Sequence, residues 1–112
     1  MEFDFDAMVE VFGEPNERRS HPDRHDYWFD YRRTDGVAVQ LMVNAFECRA
    51  IVGVDYGETA STSLVVDKCD RVRVLEAERR TIEIVSRDHL LRCFLSLDGE
   101  TLMTVDVPTA LA

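Results

Sequence analysis

The residues whose types could do chemistry are few, and the first of them cluster early. His21, Asp23, His25 and Asp26 put two imidazoles and two carboxylates within six positions, a set of donors that suits a divalent metal. Structural zinc, however, needs donors at fixed spacing on ordered elements, usually with cysteine among them. Residues 14–25 (EPNERRSHPDRH) are instead polar and hold two prolines. We therefore expect a solvated loop, with no metal and no cofactor.

A stacking platform for bases or a sugar could be built from Tyr27, Trp28, Phe29 and Tyr31. Alternation sends Tyr27, Phe29 and Tyr31 to one face, which reads as a core strand. Trp28 goes to the other face with Asp30 and Arg32. There it either packs under an N-terminal helix, the favoured placement, or stands exposed as the anchor of an interface. Acid–base catalysis would need converging carboxylates, and Asp30, Asp55 and Glu83 are the candidates for an enzyme with dispersed acids. Alternation places them away from the Tyr31 and Val39 face or leaves their register open. No nucleophile elbow, phosphate-cradling glycine loop or H-E-x-x-H pair is present, so no enzyme is expected.

Cys48, Cys69 and Cys93 are odd in number and far apart, with no C-x-x-C pair. Each lies in or beside an apolar segment and reads as a small buried thiol. Residues 1–13 carry four acids and no base, unlike a secretory signal. No stretch approaches the ~20 apolar residues that span a bilayer. A cytoplasmic protein with no membrane partner is expected.

Charge is more informative. Twenty-two acids against thirteen bases give −9, which disfavours a protein that grips nucleic-acid phosphates. Residues 1–17 alone carry Glu2, Asp4, Asp6, Glu10, Glu14 and Glu17 without a base, two-thirds of that net charge. Such a surface steers toward a basic partner. We take Glu10, Glu14, Glu17, Asp23 and Asp26, with Trp28, as the candidate partner-binding residues. Reversing three of the five charges is expected to slow association.

The elements that must position these residues follow from periodicity. Phe5, Met8, Val9 and Phe12 mark one stripe of a short helix over about 4–12, with Asp4 as N-cap, Phe3 and Met8 as a staple, and Gly13 as its end. From 26 to 107 the period is two. A three-residue Thr34-Asp35-Gly36 loop pairs Tyr31 with Val39, Phe29 with Leu41 and Tyr27 with Val43, keeping faces matched. A turn at Asn44–Glu47 would pair Val43 with Cys48 and Leu41 with Ala50. Further strands are expected at Leu64–Val66, Val72–Leu75, Thr81–Val85 and Leu91–Leu97, then one from about 101 that stops at Pro108, with a frayed tail. With 112 residues and 46% apolar content, this makes one mainly β domain. We expect an antiparallel meander of seven or eight strands with one short helix, curled into a barrel or folded as a sandwich, without parallel pairing.

His21-Pro22-Asp23 resembles the tripeptide with which J-domain co-chaperones engage their partner chaperone. That tripeptide lies between two long helices, a context that Gly13, Pro15 and the strands downstream deny. In size, acidity and lack of catalytic motifs the chain is similar to the small bacterial immunity proteins that neutralise toxins. That resemblance implies stoichiometric binding to a basic surface on a partner protein. It transfers no individual residue. The alternative is a small-ligand binder using the mouth of a curled sheet. Oligomeric state stays open between a monomer and an edge-paired dimer.

Overall fold

Asp4 caps the first helix, its carboxylate accepting a hydrogen bond from the Ala7 amide at 3.1 Å. The computed structural model describes residues 1–58 and 60–107. Helix α1 spans Phe5–Phe12 and closes at Gly13, whose φ of 85° glycine adopts without strain. Met8, Val11 and Phe12 are buried, with Phe5 and Val9 packed against the same core. Val11 thus adds to the stripe read from the sequence. Ahead of the helix, strand β1 (Glu2–Phe3) places the Phe3 ring against Tyr27 and Phe29, at 5.8 and 6.4 Å.

The hairpin of β2 (Asp26–Arg32) and β3 (Ala38–Asn44) has the expected register: Tyr31 opposite Val39, Phe29 opposite Leu41 and Tyr27 opposite Val43. Gly36 takes φ 89° in the loop, the left-handed position that the three-residue form requires. The next turn differs from expectation. Strand β4 (Arg49–Asp55) pairs Val43 with Ala50 and Leu41 with Val52, two residues beyond the expected partners. Cys48 adopts φ 55° and closes the turn instead of joining the strand, while Asn44 Oδ1 accepts from the Glu47 amide at 2.8 Å. A shift of two preserves the faces, so Ala50, Val52 and Val54 are still buried. Cys48 itself is only half-buried, unlike Cys69 and Cys93.

Strand β5 (Ser61–Val66) completes a four-stranded sheet in the order β2-β3-β4-β5. The meander then breaks. At Asp67–Lys68 the chain passes to a second sheet, where β6 (Cys69–Glu76), β7 (Thr81–Ser86), β8 (Arg92–Ser96) and β9 (Met103–Asp106) follow one another. Its order is β1-β6-β7-β8-β9, so no barrel closes. β1 joins β6 in parallel, Glu2 opposite Arg71 and Phe3 opposite Val72, which corrects the expectation of no parallel pairing. The long crossover that parallel pairing needs is supplied by α1 and the whole first sheet. The two sheets and α1 share one apolar cluster, with Phe29, Leu41, Val52, Ile82, Ile84 and Leu95 among its fully buried members. No helix among the described residues is long and apolar enough to cross a membrane. The expected stop at Pro108 and the tail beyond it lie outside the described residues.

Candidate functional site

The outer face of the first sheet carries a pattern that its register alone creates. Trp28 lies opposite Met42, Met42 opposite Ile51, and Ile51 opposite Val65. One apolar row therefore crosses all four strands on the side away from the core. Its neighbour on one side is polar, running Asp30, Gln40, Gly53 and Ser63. Its neighbour on the other side runs Asp26, Asn44 and Arg49, and Arg49 is ion-paired to Asp67 at 2.7 Å. An apolar centre with polar margins is the anatomy of a protein-binding surface.

Trp28 is fixed at one end of the row. Its indole Nε1 donates to Asp30 Oδ1 at 2.9 Å, and the guanidinium of Arg19 lies 4.7 Å from its ring centre. The helix is not its partner. α1 packs on the core side of β2, where Phe5 and Phe12 meet Phe29 at 6.1 and 5.5 Å. Trp28 instead meets residues 16–20, part of the segment expected to be a solvated loop. Asn16 Oδ1 accepts from the amides of Arg18 and Arg19, folding residues 16–20 into a turn. That turn docks on β2: the Asn16 amide donates to the Trp28 carbonyl at 2.7 Å, and Ser20 Oγ accepts from the Trp28 amide at 2.9 Å. The Asn16 side chain also reaches Asp30 Oδ2 at 3.0 Å. The available signal was an asparagine opening a polar turn.

Past Asp26, the polar margin opens into a surface hollow of about 560 Å³ lined by Asp23, Arg24, His25, Asp26, Asn44, Phe46 and Glu47. A single turn of 3-10 helix, Pro22–Arg24, ends at His25 with φ 55°, and the Ala45 amide donates to the His25 carbonyl at 3.0 Å. The two turns are thereby locked side by side. Phe46 stands on the hollow's lip with 80% of its surface exposed. Three carboxylates against one guanidinium make this end net acidic.

Of the six expected partner-binding residues, the structure brings together three. Asp23 and Asp26 line the hollow, and Trp28 begins the row beside it. Glu17 lies in the turn over β2, while Glu10 on α1 and Glu14 after it are exposed; none of the three lines the hollow. Phe46, Glu47, Met42 and Ile51 were missed. Phe46 and Glu47 looked like plain turn residues, and Met42 and Ile51 became a row only once four strands were in register.

The three acids considered for catalysis do not converge. Asp30 is held by Trp28 and Asn16, and Asp55 accepts from Gln40 Nε2 at 3.3 Å. Glu83 lies on the outer face of the other sheet, 3% exposed, within 3.1 Å of Arg71, Arg73 and Arg92. Burial pushes its carboxyl upward, but the hydrogen bond from Arg71 and the charges of Arg73, Arg71 and Arg92 outweigh that and hold it below the usual glutamate range. Among the described residues, no three His, Cys, Asp or Glu side chains gather as metal ligands. No family model, curated protein or solved structure matches this chain.

Proposed function

We propose that this chain is a non-enzymatic protein-binding domain whose partner presents a basic surface. In its specific form the role is inhibitory, that of a bacterial immunity protein covering a basic cleft on a toxin. The observation that carries this reading is the Trp28–Met42–Ile51–Val65 row with the acidic Asp23, Asp26 and Glu47 hollow at its end. The row would supply contact area that excludes water, and the hollow would steer and orient the encounter. In a sandwich reading of the two sheets, this outer face is one of the molecule's broad surfaces and lies free of the core.

The ligand-binding alternative has less support. The sheets do not close around a lumen, and the space between them is occupied by fully buried side chains. Photo-cross-linking from position 42, with position 94 on the other sheet as control, tests the assignment in cells of the native host. The proposal expects a basic protein captured from 42 and not from 94. Equal capture from both positions, or capture from 94 alone, overturns it.

A further inference from the structure

We propose that the β5 edge pairs with β5 of a second copy of this chain, joining two four-stranded sheets into one of eight strands. Four strands lie at sheet edges: β2, β5, β1 and β9. Three are guarded by devices that sheets use against edge pairing. The backbone of β2 is engaged by the Asn16–Ser20 turn. β1 is two residues long, with Glu2 in it and Asp4 next to it. β9 is four residues long, ends in Asp106, and has Pro108 just beyond it in sequence.

β5 has none of these. Its six residues, Ser61–Val66, include no charge and no proline. They pair with β4 without a register break. None makes a backbone hydrogen bond to any described residue outside that ladder. Among the described residues, one side of β5 is thus an uncharged row of amides and carbonyls without backbone partners.

Its chemistry favours a second copy as the occupant. A two-fold axis perpendicular to the sheet keeps outer face with outer face, so same-parity residues oppose each other. Centred on Leu64, the pairing sets Leu64 against Leu64, Ser63 against Val65 and Thr62 against Val66, and each copy supplies the strand the other lacks. Each chain carries −9, yet no like charges meet at this seam. Val65, 49% exposed where the apolar row meets the edge, becomes a diagonal neighbour of its counterpart. Each chain's apolar row then abuts the Ser63 end of the other's polar row, and the two rows adjoin only through the diagonal Val65 pair.

The inference does not rest on the partner-binding reading, and salt separates the two. Screening should tighten association of two acidic chains and weaken association with a basic protein. Sedimentation of the full chain at about 100 µM, across a salt series, is the test. We expect twice the 12.9 kDa chain mass, with dimerisation stronger at high salt. Val65→Lys should halve that mass with an unchanged circular dichroism spectrum, and Ser63→Lys, on an exposed position, should do the same. Val105→Lys on β9 should leave the dimer intact. A wild-type chain that sediments at the single-chain mass throughout overturns the proposal, as does a dimer that survives both β5 substitutions or falls apart on V105K.

Discussion

The phenolic hydroxyl of Tyr31, on β2 of one sheet, donates to the carboxylate of Asp98, in the β8–β9 connection of the other. Arg80 completes the clasp. Its guanidinium pairs with Asp98 at 3.2 Å, lies 5.3 Å from the Tyr31 ring centre and donates to the Val11 carbonyl at the end of α1. Beside it, Arg33 donates to the Leu97 and Gly99 carbonyls at 2.7 and 2.8 Å. Two sheets and the helix are tied at one end by polar contacts that no single strand pattern announces.

Tyr31→Phe is expected to cost about 1 kcal/mol, because it removes one charge-assisted hydrogen bond and keeps the ring. The hydrogen bond to Asp98, burial, and the Asp98 charge together raise the Tyr31 pKa, against the opposing charges of Arg80 and Arg33. A raised folded-state pKa means the contribution is present below the ordinary tyrosine range and is lost as pH rises through the raised value. Urea unfolding from pH 7 to 11 should therefore show the wild-type advantage over Tyr31→Phe shrinking at the alkaline end.

Glu83 makes the opposite pH prediction. Its depressed carboxyl contributes stability above the ordinary glutamate range, and that contribution is lost as pH falls through the lowered value. Glu83→Gln removes the one carboxylate shared by Arg71, Arg73 and Arg92 and should cost about 2–3 kcal/mol at pH 7. The three arginines keep partial solvent access, so the loss falls below that of a fully buried pair. Thermal unfolding of both proteins should converge as pH falls through that lowered value.

Much of the fold was legible because a half-buried sheet punishes any register that mixes faces. Tyr31 and Val39 could be paired from sequence on that ground alone. The same rule tolerates a shift of two, and so Cys48 was placed in β4 when its positive φ puts it in the turn. The passage between sheets at Asp67–Lys68 was hidden because a polar pair between apolar runs looks the same whether the chain turns back or crosses over. The candidate site was legible only in part. Asp23, Asp26 and Trp28 were visible as charges and an odd-face aromatic, whereas the row through Met42, Ile51 and Val65 exists only once three separate registers are known.

The thiols give a third prediction. Burial pushes Cys69 and Cys93 up to about 11, while Cys48 is half-buried in its turn. A thiolate-seeking aromatic disulfide at pH 8 should therefore label one cysteine per native chain, identified as Cys48 by peptide mapping, and all three in denaturant. Rapid labelling of Cys69 or Cys93 in the native protein would contradict the packing of both sheets.

Anchor and steering residues should separate kinetically. On the protein captured from position 42, Trp28→Ala and Met42→Lys should mainly speed dissociation, since they remove apolar contact from the centre of the surface. Surface-immobilised binding curves for each variant give the two rates separately.

In the proposed function, the acidic hollow beside the apolar row steers a basic partner. The direct test is the association rate of that partner with wild type and with the triple reversal Asp23→Lys, Asp26→Lys, Glu47→Lys, at low and high salt. We predict at least a roughly tenfold slower association for the triple variant at low salt, with the difference collapsing at high salt. Equal association rates at low salt would contradict the account.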